Sequence, residues 1–297
     1  MSRAARAVTD ADVPAVVAVI NEATPEIPVD EAEVRTWLTS PEEIDFAVVV
    51  DERGELLAYG DLSTRDSTSR TWFDLQVPPR HEESETFGSA LDWAEATARR
   101  RGRELLRVPA RPDSKLPEFL AGRGYRPIRH FFDMRIDLAE APPEPSWPAG
   151  IDVEALVPGD ERAVFDAVED AFADHWEWSP GRFEDWAHHM VEAAAFDPSL
   201  WLIARDGGEI AGVCICRRAP GEVGLGWVRE LGVRRAWRRQ GLGTALLVAA
   251  FGLFWERGTK AVGLGVDGEN TTGAVRLYER AGMRVFHRFD VYEKEMR

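Results

Sequence analysis

The chain has 297 residues, of which 44% are hydrophobic and 30% are charged. This composition indicates a folded globular protein with room for two domains of about 150 residues each or for one large α/β domain, and it excludes collagen-like and disordered chains. Acidic residues outnumber basic ones by 52 to 36, and the net charge of -16 disfavours partners such as nucleic acids and anionic membrane surfaces.

The first half of the chain predicts an α+β arrangement. A short strand and a polar turn precede a helix whose start is marked by Pro14. Strands are predicted at residues 46–50, 56–62 and 72–77, and the last of them leads into a second helical stretch. No signal-peptide core and no uncharged run long enough to cross a bilayer is found, so a cytoplasmic location is expected.

A proline-rich stretch at residues 139–150 cannot form a helix or a central strand, because each proline fixes φ and removes a hydrogen-bond donor. We therefore predict a linker at 141–150 between two domains, at 1–140 and 151–297.

The second half repeats the pattern of the first. Strands are predicted at 200–204, 210–216 and 227–233. Residues 121–126 also resemble residues 279–284, which indicates a duplicated domain. The only cysteines, Cys214 and Cys216, lie in an apolar run and are expected as buried, reduced thiols, because two thiols cannot complete a zinc site.

A glycine-bearing loop between Val233 and Thr244 carries the strongest chemical signal. Gly241 and Gly243 would let backbone amides approach an anion at the start of the next helix, where the helix dipole adds positive charge. The spacing alone leaves phosphate binding and a structural turn equally open. Gly243 stands where a nucleotide triphosphatase loop needs lysine, and too few residues follow Gly263 for its G-x-G-x-x-G match to open a Rossmann sheet.

Residues 238–243 (RRQGLG) resemble the R/Q-x-x-G-x-G/A acetyl-CoA loop of the GCN5-related N-acetyltransferases (GNAT), and residues 270–283 resemble the second motif of that family. Arg235 and Arg239 depart from the proline and glycine that are frequent there. The two-domain layout is similar to that of mycothiol synthases. The resemblance implies an α+β fold of two tandem GNAT-like domains, each a mixed, mostly antiparallel twisted sheet flanked by helices, with splayed central parallel strands.

The resemblance implies acetyl-CoA as co-substrate and no metal. The residues that would contact acetyl-CoA flank the splayed strands or open the two helices: Leu231, Gly232, Val233, Arg238, Arg239, Gln240, Gly241, Leu242, Gly243, Thr244 and Asn270. From the residues alone, Asn270 is expected as a simple helix N-cap.

Glu230 is the candidate base that takes a proton from an attacking amine, and Tyr278 is the candidate acid that protonates the departing thiolate. Without the resemblance, Glu230 would be equally well an exposed strand acid and Tyr278 a core tyrosine. His175, Trp176 and Trp178 are candidates for acceptor contact, as part of an aromatic set that includes Trp186. Packing of a helix pair is the simpler interpretation of that set.

An offset of 156 residues places Glu82 on Arg238, Glu85 on Gly241 and Phe87 on Gly243. Acidic residues would repel a diphosphate and Phe87 adds bulk, so the first half is expected to be a degenerate domain without a working acetyl-CoA loop. Near the end of that half, Leu120 takes the place of Tyr278.

The resulting expectation is an acetyl-CoA-dependent N-acetyltransferase that acts by direct attack of a small-molecule primary amine, as a monomer or homodimer. Acetylation of a cysteinyl sugar conjugate as in mycothiol synthases, protein N-terminal acetylation, and a non-catalytic acyl-CoA sensor are the open alternatives.

Overall fold

The structure, a computed structural model, describes residues 3–64, 69–193, 196–218 and 224–297. Its helices are α1 (Val13–Ala23), α2 (Glu31–Leu38), α3 (Ser84–Arg100), α4 (Leu116–Gly122), α5 (Glu161–Phe172), α6 (Phe183–Met190), α7 (Leu242–Glu256) and α8 (Ala274–Arg280). Its strands are β1 (Ala4–Ala7), β2 (Ile44–Val50), β3 (Leu56–Ser63), β4 (Arg70–Gln76), β5 (Leu105–Ala110), β6 (Arg126–Asp137), β7 (Ile151–Ala155), β8 (Trp201–Asp206), β9 (Glu209–Arg218), β10 (Leu225–Val233), β11 (Ala261–Asp267) and β12 (Arg284–Glu295).

These residues group into two compact units, Met1–Phe131 with Arg288–Arg297, and Phe132–His287. The grouping differs from the predicted division because two long strands, β6 and β12, each contribute to both units. The second part of β12 pairs with β5 in the first unit, from Asp290 opposite Ala110 to Glu295 opposite Leu105. The proline-rich stretch has no helix or strand, as predicted, but it joins β6 to β7 inside the second unit.

In the first unit the strands follow the order β1-β2-β3-β4-β5, and the end of β12 completes the sheet. Pairing is antiparallel except between β4 and β5, which are parallel from Arg70 opposite Leu105 to Trp72 opposite Arg107. One core lies under α3 and α4, around Leu91 and Leu120, and another lies under α1, around Val16 and Tyr59.

The second unit has the same architecture. Its strands follow the order β7-β8-β9-β10-β11-β6, with antiparallel pairs up to β10 and a parallel pair between β10 and β11. The core contains Trp201 of β8 and Phe254 of α7. Helix α7 is apolar nearly all round because most of its residues are buried or half-buried. Cys214 and Cys216 are buried and unoxidised on β9, with their Sγ atoms 3.7 Å apart, as the spacing predicted.

The two halves repeat one order of elements. The series β4-α3-β5-α4-β6 of the first half corresponds to β10-α7-β11-α8-β12 of the second. The duplicated α+β fold predicted from the sequence is therefore confirmed, and the predicted strands agree with the observed ones to within about two residues at each end.

Candidate active site

The two parallel strands of the second unit separate after a short paired stretch. The register of β10 with β11 runs from Leu225 opposite Ala261 to Val228 opposite Leu264. Strand β10 then continues to Val233, paired with β9 on its other side after a bulge between Val228 and Glu230. The edge of β10 that bears Leu231 and Val233 therefore faces an opening, where an extended ligand could pair with the main chain.

Gly232 is required at this edge by close packing. A Cβ atom at Gly232 would lie 2.9 Å from the Cβ of Ala171 and 3.2 Å from Cε2 of Phe172. The C-terminal end of α5 thus rests directly on β10. This contact positions α5 over the face of β10 that also bears Glu230.

The loop from β10 to α7 has a backbone suited to an anion. Arg239 and Gly241 both have left-handed conformations, with φ of 61° and 90°. The first helical hydrogen bond of α7 runs from the Ala245 N–H to the Gly241 carbonyl, and no side chain caps the helix start. The N–H groups of Leu242, Gly243 and Thr244 therefore point outward at the positive end of the helix. This arrangement fits a diphosphate such as that of coenzyme A.

Arg238 fixes this loop to α5. Its guanidinium donates to Asp174 Oδ2 at 2.6 Å, to the Val233 carbonyl at 3.0 Å and to the Ala171 carbonyl at 3.0 Å. Arg235 also donates to Asp174. Its backbone N–H also donates to the Arg235 carbonyl, at 3.4 Å, so both the guanidinium and the main chain of Arg238 hold the loop in place.

Of the other predicted loop residues, Gly243 is packed against a neighbouring helix, whereas Arg239 and Gln240 are exposed. Gly243 packs against α8, since a Cβ there would lie 3.2 Å from Cδ1 of Leu277. Gln240 is exposed and its amide donates to the Ala236 carbonyl at 3.2 Å. Arg239 is exposed, and no ion pair of its side chain is found in the described part of the chain. Arg239 is thus the loop arginine best placed to meet a phosphate.

Glu230 lies beneath α5 and α6. Its Oε2 atom is shielded from solvent and makes no hydrogen bond with any described residue. Burial raises the pKa of Glu230 to about 7; Arg229 and the indole N–H of Trp186 lower it, and the charge of Glu169 adds to the rise. A carboxyl with this pKa is about half ionised at neutral pH and can accept a proton there.

Tyr278 is buried on α8, with 8% of its surface exposed. Burial raises the pKa of its phenol to about 12, and Cys214 adds to the rise. Tyr278 is therefore protonated at neutral pH and can act as a donor. Burial also raises the pKa of the Cys216 thiol, so this thiol is not an activated nucleophile.

Asn270 does not cap α8, so that expectation was wrong. The N-cap is Gly273, with φ of 85°. The Asn270 side chain instead accepts from the Thr272 N–H at 2.7 Å and from the Thr272 hydroxyl, which forms an Asx turn before the helix. The left-handed conformation at the helix start favours glycine, which has no Cβ.

The predicted acceptor residues lie in the connection between α5 and α6 and not in the helix pair itself. His175 packs on the ring of Phe172, with centroids 4.4 Å apart, and burial lowers its pKa while Asp267 opposes the change. Trp178 is exposed and Trp176 is half-buried. The packing role expected for the aromatic set belongs to Trp186, which contacts the core ring of Trp201 at 5.6 Å.

Sequence reasoning missed Glu169, whose carboxylate acts on Glu230 and accepts from the Gly181 N–H at 2.9 Å. A signal was present, because Glu169 lies four residues after Phe165 and three before Phe172, beside the apolar stripe of α5.

The corresponding loop of the first half is filled by the chain itself. Glu82 accepts from the Lys115 N–H at 3.1 Å, and Arg3 pairs with Glu83 and Thr86 at the start of α3. Leu120, at the place of Tyr278, is buried. The start of α3 thus has the Arg3 side chain beside it and acidic side chains before it, unlike the start of α7.

The described residues hold no group of three or more His, Cys, Asp or Glu side chains arranged to bind a metal ion. Their helices include none with the length and apolar character needed to span a bilayer.

Residues 163–283 match the family described as "Acetyltransferase (GNAT) family". A mycothiol acetyltransferase of Arthrobacter sp. is 36% identical over 179 residues, which cover 58% of this chain and 54% of that protein, so the match spans about half of the relative's length. A GCN5-related N-acetyltransferase from Sphaerobacter thermophilus is 34% identical, with a TM-score of 0.78 over 99% of this chain and 96% of that one. A tandem GNAT protein of the clavulanic acid biosynthesis pathway shares the fold, with 18% identity, a TM-score of 0.77, and coverage of 100% and 98%.

Proposed function

The chain belongs to the acetyltransferase (GNAT) family, and we propose that it transfers an acetyl group from acetyl-CoA to the primary amine of a small molecule by direct attack. The site proposed for this reaction lies in the second unit, between the open edge of β10, the start of α7 and the underside of α5. The observation that carries the proposal is the half-buried Glu230, whose Oε2 atom is shielded from solvent and whose pKa of about 7 suits a base at neutral pH.

Each part of the site has a role in this proposal. Acetyl-CoA supplies an activated acyl group as a thioester. The N–H groups of residues 242–244 and the guanidinium of Arg239 would hold its diphosphate, and the edge of β10 from Leu231 to Val233 would pair with its amide-bearing arm. The proposed contact of Asn270 with coenzyme A rests on the family resemblance alone.

Glu230 takes a proton from the acceptor ammonium, which frees the nitrogen lone pair for attack on the thioester carbonyl. Tyr278 donates its phenolic proton to the departing thiolate. The phenol pKa of about 12 lies above the pKa of a thiol in water, about 8.5. The burial that raises the pKa of Tyr278 also raises the pKa of a thiol beside it, so the departing thiolate is a stronger base there than in water. No residue is acylated, since the amine attacks directly.

A thiol-release assay with acetyl-CoA and a panel of amines tests the proposal. Glu230→Gln should lower kcat/KM by at least about 100-fold at pH 7, the usual size of a general-base contribution. Tyr278→Phe should lower kcat more than KM. Glu256→Gln on the exposed end of α7 and Tyr292→Phe on β12 are matched controls that should retain activity.

The outcomes separate the proposal from its rivals. If calorimetry detects acetyl-CoA binding but no amine releases thiol, the protein is a sensor of acyl-CoA and not an enzyme. If both substituted forms keep wild-type kcat/KM, the roles of Glu230 and Tyr278 are wrong. If acetyl-CoA does not bind, the whole assignment fails.

The acceptor that the relatives favour is a cysteinyl sugar conjugate, because several of them are named mycothiol acetyltransferase. The panel should therefore contain such a conjugate beside amino sugars and peptides with free N-termini. A preference for peptides would favour protein N-terminal acetylation instead. His175, Trp176 and Trp178 are the proposed acceptor contacts.

We further propose that the first half is a degenerate domain that does not bind acetyl-CoA. Its loop positions carry Glu82 and Glu85, and Arg3 occupies the start of α3. The proposed setting is the cytoplasm, with the protein as a monomer or homodimer. One equivalent of acetyl-CoA bound per chain in calorimetry is expected, and two equivalents would contradict the assignment.

A further inference from the structure

Two buried polar atoms of the second unit have no hydrogen-bond partner among the described residues and act on each other. One is Oε2 of Glu230 and the other is Nε1 of Trp186. The indole N–H lowers the pKa of the carboxyl, so the two groups are near neighbours, although the geometry falls outside that of a hydrogen bond. A buried donor and a buried acceptor left unpaired side by side each incur a desolvation cost that a small rotation would remove.

The ring of Trp186 is held firmly, so its N–H has a fixed direction. The ring contacts Phe165 at 5.6 Å, Phe183 at 6.0 Å and Trp201 at 5.6 Å between centroids. Trp201 is 2% exposed and belongs to the core of the unit. A donor anchored in this way can orient a carboxylate without losing much side-chain entropy.

The ring packing alone explains an aromatic residue at position 186 but does not explain tryptophan. Phenylalanine would fill much of the same space among the aromatic rings and would leave no buried donor. The indole N–H of Trp186 acts on the carboxylate of Glu230, whose Oε2 atom is a buried acceptor without a hydrogen-bond partner among the described residues.

We propose that Trp186 is a positioning residue, whose indole N–H donates to the ionised carboxylate of Glu230 and holds it in the orientation that receives the proton of the acceptor ammonium. This inference rests on the proposed function, because it assigns a role to Trp186 through the base of that reaction. The hydrogen bond strengthens when the carboxylate is charged, since charge-assisted bonds are the stronger ones.

Three groups from three elements act on Glu230: Arg229 on its own strand, Trp186 on α6 and Glu169 on α5. Removal of the indole N–H takes away a stabiliser of the charged form, so the pKa of Glu230 should rise in Trp186→Phe. Removal of the negative charge in Glu169→Gln should lower that pKa, while the glutamine carbonyl can still accept from the Gly181 N–H. General loosening of the unit cannot produce shifts of opposite sign.

The first test is the pH profile of kcat/KM in the thiol-release assay. The acid limb, which reports the free base, should move to higher pH by about one unit in Trp186→Phe and to lower pH in Glu169→Gln. Phe183→Leu loosens the same ring cluster but keeps the indole N–H, so its acid limb should stay in place. An unmoved acid limb in a folded Trp186→Phe, or an equal shift in Phe183→Leu, would overturn the proposal.

The second test needs neither substrate nor a folded Trp186 variant. In the wild-type protein with ¹⁵N-labelled tryptophan, one indole resonance should titrate with a midpoint near the pKa of Glu230, and in Glu230→Gln that titration should vanish. If the resonance titrates unchanged in Glu230→Gln, or if no indole resonance titrates, the hydrogen bond is refuted. Because this readout is independent of turnover, it separates failure of the inference from failure of the proposed function.

Discussion

The Glu230→Gln variant should be more stable than the wild-type protein at alkaline pH, although it should lose activity. The native structure keeps the Glu230 carboxyl shielded under α5 and α6, without a hydrogen-bond partner for Oε2 among the described residues. A glutamine of nearly the same shape carries no charge, so it removes the cost of burying an ionised group.

The magnitude follows from the rise of the Glu230 pKa from 4.5 to about 7. A carboxyl with a raised pKa binds its proton more tightly in the native state, so the free energy of unfolding falls as the pH rises from the unfolded to the folded pKa. The full loss above pH 7 is about 3 kcal/mol. This is an upper limit, because the residue as a whole is only half-buried. Below pH 4.5 both states are protonated and the loss disappears.

Urea unfolding at pH 8 and at pH 4.5 measures the effect. At pH 8, Glu230→Gln should exceed the wild type by up to about 3 kcal/mol, and at pH 4.5 the difference should be under about 0.5 kcal/mol. The exposed Glu256→Gln should match the wild type at both values. A variant that is less stable at pH 8, or equally stabilised at both pH values, would refute the reasoning.

Three further predictions concern the backbone and the first unit. Arg239→Gly should raise the free energy of unfolding by about 1 kcal/mol in thermal denaturation, because glycine adopts the left-handed conformation without the steric cost that a Cβ imposes. Arg239→Ala keeps a Cβ and should not raise it. Both variants should bind acetyl-CoA more weakly in calorimetry. Gly232→Ala should cost about 1–3 kcal/mol because its Cβ would meet α5, while Gly252→Ala in open space on α7 should stabilise the protein in the same scan. Lys294→Met should lower the free energy of unfolding by about 2 kcal/mol in urea at pH 7, because it removes the hydrogen bond from Lys294 to Glu95. Burial raises the pKa of Glu95, but the bond from Lys294 and the other nearby charges outweigh burial and lower that pKa. The stabilisation is therefore lost as the pH falls, and the cost of the substitution should be smaller at pH 4.

Local patterns predicted the elements and the loop of the second unit. Alternating and continuous apolar runs marked the strands, and Gly241 with the apolar residues after it marked the start of α7. The grouping of β12 with the first unit could not be predicted, because it depends on pairing between residues about 180 positions apart in sequence. The engagement of Arg238 by Asp174, and the approach of Glu169 to Glu230, also depend on how α5 packs on β10.

The division of the chain between its two units bears on the order in which they can form during synthesis. The second unit is one uninterrupted segment, Phe132–His287, whereas the first unit needs Arg288–Arg297 for the strand that pairs with β5. N-terminal segments emerge from the ribosome first, so residues 1–131 are made before the residues 288–297 that complete the first unit. The second unit can fold before the first unit is complete. Until residues 288–297 are made, β5 has no β12 partner at its edge of the sheet. A chain truncated at the proline-rich stretch would likewise have an unpaired sheet edge at β5.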